Sequence, residues 1–267
     1  MAERNGEFYV GYLEKSPPKT AARTRRVAIV AFVIAAALAA LLVYGQARFD
    51  PGLFEFGVDR EFEGIVVERP YPMLLVPEGS ETETPDPFVT HHLVAFGKYG
   101  AARLVEGLDG EPVRITGSPI YNDQQRMIEV HEIERAGAGA ARSLRQREPD
   151  SERRLGTMTL IGEIVDAKCH FGSMKPGRGK THKACAIRCI SGGVQPVLRV
   201  EDRSGRVEYF LLVSTEGKSV NAEVLGMVAE PVEITGEVAR AGDLLILYAD
   251  PVEYRRVASS TTGSNKR

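Results

Sequence analysis

Gly110-Glu111-Pro112-Val113-Arg114-Ile115-Thr116-Gly117 recurs about 120 positions later as Ala229-Glu230-Pro231-Val232-Glu233-Ile234-Thr235-Gly236. Gly97-Lys98 recurs as Gly217-Lys218, so two separated stretches keep register to within one residue. A constant offset of this kind marks an internal duplication. Upstream, Phe62-Glu63-Gly64-Ile65-Val66-Val67 answers to Leu160-Ile161-Gly162-Glu163-Ile164-Val165, and Pro72-Met73-Leu74-Leu75-Val76 to Pro196-Val197-Leu198-Arg199-Val200. Between these two matches the second copy is longer by about 26 residues, which places an insert at 166–195.

Within each copy, β-branched runs bounded by Gly, Pro and Asp read as strands. In the first they are 61–67, 72–77 and 92–96, then an amphipathic helix over about 98–107, then strands 112–117 and 126–133. The second copy closes with strands 231–236 and 244–248. Strand-strand-strand-helix-strand-strand, present twice, resembles the OB-fold modules of the tRNA-anticodon-binding-like kind over about 60–134 and 157–255. The resemblance implies a mainly β chain with two five-stranded barrels, each with a short helix. It implies no activity, because this fold hosts many unrelated ones.

Ahead of the duplication, residues 27–45 carry no charge. As a helix rising about 1.5 Å per residue, this run reaches roughly 28 Å, close to the thickness of a bilayer's hydrocarbon core. Lys15, Lys19, Arg23, Arg25 and Arg26 precede it, while Arg48 and Asp50 offset each other after it. The positive-inside tendency then gives a single pass of the inner (cell) membrane, with a cytoplasmic N-terminus and periplasmic or extracytoplasmic domains. A cleaved signal peptide is the competing reading, disfavoured by the length of the run and by the lack of a nearby small-residue cleavage site. The expected organisation is a cytoplasmic stub (1–26), a transmembrane helix (27–45), a first domain (51–134), an exposed linker (135–155), a second domain (156–256) and a disordered tail (257–267). In the stub, Phe8-Tyr9-Val10-Gly11-Tyr12-Leu13 reads as an aromatic patch resting at the lipid interface.

The insert holds all three cysteines and two of the five histidines of the chain. Thr181 is a good N-cap, followed by Ala-rich sequence up to Gly192-Gly193, so 181–190 reads as a short helix. Positions 182, 185 and 189 then lie on one face. With Cys169 at the end of the preceding strand, Cys169, His182, Cys185 and Cys189 make a set of three thiolates and one imidazole suited to zinc, or to copper through the soft thiolates. The bland alternative is a disulfide from Cys169 to Cys185 or Cys189 that pins the loop, which leaves one thiol over. A third possibility is a redox-active thiol pair, although no Cys-x2-Cys motif supports it. Lys175, Arg178, Lys180 and Lys183 surround the Gly-rich turn before the helix, a place that favours an anion.

A net charge of −2, from 34 basic and 36 acidic residues, excludes a generally cationic nucleic-acid binder. Aromatic content is 7% with no tryptophan, and Phe96, Tyr209 and Phe210 fit ordinary barrel packing, so nucleic acid is not expected as a partner. Met174 stands where a Gly-x4-Gly-Lys-Thr phosphate loop needs glycine, and no Gly-x-Ser-x-Gly elbow or His-Glu-x2-His helix occurs. His91, His92 and His131 read as exposed strand residues. The expectation is a non-catalytic binding or accessory module of a membrane or periplasmic complex, with the lipid bilayer and a protein as partners. A metal- or thiol-dependent redox protein is the alternative.

Overall fold

The computed structural model describes residues 16–46, 52–77, 88–122, 125–147 and 151–257. The aromatic patch of the N-terminal stub and the C-terminal tail after Val257 lie outside the described residues. The chain divides into two units, Met1–Phe49 and Asp50–Arg267. In the first, α1 (Pro18–Gln46) is one helix long and apolar enough to cross a membrane, a property that signal sequences share.

In the second unit, β1 (Leu53–Phe54), β2 (Arg60–Val67), β3 (Met73–Pro77), β4 (Phe88–Ala95), β5 (Tyr99–Gly100), β6 (Pro112–Tyr121) and β7 (Arg126–Arg135) form the first barrel. After α2 (Ala138–Arg145) come β8 (Arg153–Asp166), α3 (Lys183–Ser191), β9 (Pro196–Glu201), β10 (Val207–Val213), β11 (Pro231–Ala241), β12 (Leu244–Tyr248) and β13 (Arg255–Arg256).

The expected topology is present in both copies. In the first, β2–β3, β3–β4, β6–β7 and β2–β6 pair antiparallel, and β4 pairs parallel with β7 to close five strands. In the second, β8–β9–β10 run antiparallel, β10 pairs parallel with β12, and β11 joins β12 to β8. A parallel pairing of the third and fifth strands in an otherwise antiparallel closed sheet is the OB arrangement. The chain is thus mainly β, with an apolar N-terminal helix and two five-stranded barrels, each accompanied by a short helix.

The helices sit elsewhere than expected. At 98–107 there is a single turn, in which Val105 N–H reaches Ala101 O, and no longer helix. The stretch expected as linker carries α2, whose Leu144 is buried and whose Arg145 pairs with Glu111 of the first barrel. A solitary apolar side chain among Ala and Arg gives too little periodicity to mark a helix in sequence.

Each barrel has its own core: Val66, Leu74, Leu93, Ile115 and Ile128 in the first, and Ile164, Leu198, Phe210, Leu212 and Ile234 in the second. A third cluster belongs to both. Met73, Val94 and Met127 turn away from the first core, Val197, Tyr209 and Leu211 turn away from the second, and they meet around Phe171. Side chains alternate along a strand, so Met73 and Leu74, or Leu211 and Leu212, serve opposite faces, and both faces are buried. Polar links lie within this junction. Tyr71 Oη donates to Leu212 O (2.9 Å) and accepts from Val220 N (2.9 Å), and Gln195 Nε2 donates to Pro72 O (3.1 Å) and Leu93 O (3.2 Å).

Candidate metal centre

The insert leaves β8 at Asp166 and makes a wide turn over Cys169–Ser173, which Asp166 ties down by accepting the Cys169 N–H (2.8 Å). It returns through α3, where Cys185 and Cys189 sit one helical turn apart and face that turn. The N-cap is His182 rather than Thr181. Cys169 Sγ lies 3.8 Å from both Cys185 Sγ and Cys189 Sγ, and all three sulfurs fall within 4.8 Å of one another. Thiolates bound to one ion at about 2.3 Å, with near-tetrahedral angles, stand about 3.8 Å apart. The three-cysteine group therefore has the spacing of a site that could hold a metal ion.

The expected disulfide is corrected. All three thiols are free, and 3.8 Å is far beyond the roughly 2.05 Å of an S–S bond. The leftover thiol that troubled the disulfide reading finds its place here, since three sulfurs converge rather than two.

The expected fourth ligand, His182, stands apart from the Cys185–Cys189 pair. Its Nε2 is 3.0 Å from Asp166 Oδ2, with the imidazole 3% and the carboxylate 0% exposed. Asp166, Cys169 and His182 form a second group that could hold a metal ion, sharing Cys169 with the first. Sequence reading passed over Asp166, whose role depends on its burial at the end of β8.

It also passed over Lys98, which arrives from the first barrel. Lys98 Nζ donates to Cys185 Sγ (2.7 Å) and lies 3.9 Å from Cys189 Sγ. The hydrogen bond to Cys185 raises the Lys98 pKa, with the neighbouring cysteines adding to it. A hydrogen bond from Cys169 lowers the Cys189 pKa, while that same bond, burial and the Asp166 charge push Cys169 up. The counterpart of Lys98 in the second copy, Lys218, pairs with Glu216 on the surface. Duplication supplied the lysine, and only the first copy places it beside sulfur.

Lys168, one residue before Cys169, is buried against Glu129 of the first barrel and donates to Ala95 O (2.9 Å) and Gly97 O (2.7 Å). This fixes the approach of the cysteine turn to the loop carrying Lys98. Of the cations expected around an anion, Lys183 is paired with Glu230, Lys175 and Lys180 are exposed, and Arg178 is half-buried. The protein's own carboxylates crowd the entrance to α3, where Glu163 Oε1 accepts the Gly179 N–H (2.5 Å). Contrary to expectation, His91 and His92 are buried, whereas His131 is exposed as expected and meets Asp59 (2.6 Å).

No family model and no curated protein matches this chain. Among solved structures it is matched to a deletion variant of the single-stranded DNA-binding protein from Thermus aquaticus. Identity is 12%, the match covers 80% of this chain and 98% of that one, and the TM-score is 0.23. The matched protein is named for binding single-stranded DNA, against the expectation that nucleic acid is no partner. At that TM-score the likeness assigns no ligand to this chain.

Proposed function

We propose that this protein is a membrane-anchored, extracytoplasmic binding module that holds one soft metal ion, zinc or copper(I), at the junction of its two barrels. The observation that carries the proposal is the convergence of Cys169, Cys185 and Cys189 at thiolate–metal spacing. Cationic residues before the apolar run of α1 support an outward-facing second unit. Metal bound here would draw the insert of the second barrel onto Lys98 of the first, so binding and the joining of the barrels would be linked. Elemental analysis of the full chain purified in detergent tests the metal, and a C-terminal reporter active only outside the cytoplasm tests the topology.

Lys98 also favours a second reading. A cation 2.7 Å from Cys185 Sγ, within a cluster of three sulfurs, also fits a site for thiol exchange. Cys185→Ser separates the two. A redox protein loses disulfide exchange and is otherwise unchanged, whereas a metal site loses its ion.

A further inference from the structure

The three sulfurs do not lie in a closed cage. Cys169 and Cys189 form part of the wall of an open hollow of about 270 Å³, shared by both barrels. The first barrel contributes Phe54, Phe56, Phe96 and Lys98, and the second contributes Ser173 and Met174. Phe56 and Phe96 are each 70% exposed and Met174 47%, so the rim presents aromatic rings and a thioether to solvent. Deeper in, Ser173 Oγ is buried and finds no hydrogen-bond partner among the described residues.

We infer that the fourth position of the metal opens into this hollow and is filled by a sulfur from outside, the thiol of an apolar compound or of a cysteine flanked by apolar residues. The inference rests on the metal reading above and adds the occupant. Three features of the site select that chemistry. Three protein thiolates leave one tetrahedral position open, and an open position distinguishes a reactive or exchanging site from a closed structural one. His182, the expected internal fourth ligand, is engaged by Asp166. Soft thiolate-bound ions prefer soft donors, and walls of phenyl rings and a thioether disfavour water while accommodating an apolar group. At about 270 Å³ the hollow lies near the lower end of the size range of small-ligand sites, roughly 300–1,000 Å³. The incoming thiol gives its proton to solvent as its sulfur bonds to the metal. The unpartnered Ser173 O–H supplies a donor for that sulfur, and Lys98 offsets the added negative charge.

Cobalt(II) loaded into the full-length protein in detergent reports the fourth ligand through its visible d–d and thiolate charge-transfer bands. Benzyl mercaptan, 2-mercaptoethanol and a Phe-Cys-Phe peptide blocked at both ends are titrated separately. The expected result is a saturable rise in the charge-transfer band, with benzyl mercaptan or the peptide at least tenfold tighter than 2-mercaptoethanol. Tighter binding of benzyl mercaptan assigns a free thiol, and tighter binding of the peptide assigns a partner's cysteine. Phe96→Ala, at an exposed position, should weaken the apolar thiol at least fivefold while leaving cobalt bound. An unchanged spectrum in cobalt-loaded protein overturns this inference alone, as does thiol binding that ignores both the apolar group and Phe96→Ala. Protein that binds no cobalt overturns both this inference and the metal reading beneath it.

Discussion

Lys98 Nζ, carried by the loop after β4 of the first barrel, donates to Cys185 Sγ on α3 of the second at 2.7 Å. The contact crosses the junction, so the electrostatics of the cysteine cluster depend on how the two barrels are joined. An ammonium beside sulfur compensates part of the charge of three thiolates around a divalent ion. Lys98→Met keeps the length of the stem and removes the charge. It should weaken zinc binding by on the order of tenfold, about 1.4 kcal/mol, in a competition titration against a chromophoric chelator. Lys98→Arg should recover part of the loss, and equal affinity in all three proteins would show that the contact has no part in binding.

The close approach of backbone to backbone gives a second expectation. A Cβ added at Gly192 would stand 2.0 Å from Lys98 O, and one added at Gly100 would stand 2.1 Å from Gly193 O, both impossible without movement. Gly192→Ala should therefore push the end of α3 away from the Lys98 loop and lower metal affinity more than Lys98→Met does. Gly139, whose Cβ would meet nothing within 4 Å, is the control position. Gly139→Ala should leave affinity unchanged.

The third expectation concerns Lys168 and Glu129, a pair with side chains 4% and 3% exposed. Removing one partner strands the other charge in a poorly solvated place, at a cost of about 3–5 kcal/mol. Glu129→Ala should lower the denaturation midpoint accordingly. The double variant Lys168→Met with Glu129→Leu should regain a large part of it, because both buried charges are then gone. A Glu129→Ala protein as stable as its parent would contradict the burial assigned to this pair.

Burial, the largest effect on each, lowers the pKa of His91 and of His92 from 6.5 to about 4. Both imidazoles therefore stay neutral in the folded protein while the unfolded chain takes up protons as pH falls below about 6.5. Stability is fully present above that value and is lost as pH drops towards 4, below which the loss levels off. Each histidine contributes on the order of 3 kcal/mol to that loss. Urea midpoints measured between pH 7 and pH 4 should fall over this window. His92→Gln should flatten the fall, and a midpoint independent of pH over the same range would refute it.

The duplication at 110–117 and 229–236 made the barrels legible, because strands built from alternating β-branched residues announce their period. The cysteine cluster was legible as well, since positions 185 and 189 must share a face of any helix and the insert has few other places to put Cys169. The joining of the barrels was missed, although a signal for it existed. Met73-Leu74-Leu75-Val76 and Tyr209-Phe210-Leu211-Leu212-Val213 are apolar on consecutive positions rather than alternate ones, the pattern of strands buried on both faces. Lys98 carried no such signal. A lysine in a surface turn becomes part of a sulfur site only through a contact 87 residues away, which no local pattern encodes. The same holds for His182, whose helical spacing fits the cysteines but whose ring is drawn to buried Asp166.

The most direct test is metal content together with thiol accessibility on the full-length protein purified without chelator. One zinc or copper ion per chain is expected, with Cys169, Cys185 and Cys189 slow to react with a thiol reagent until the ion is removed and all three reacting afterwards. Metal-free protein that cannot be loaded with zinc or copper(I), with three freely reacting thiols or with one thiol and a disulfide, would contradict the metal centre.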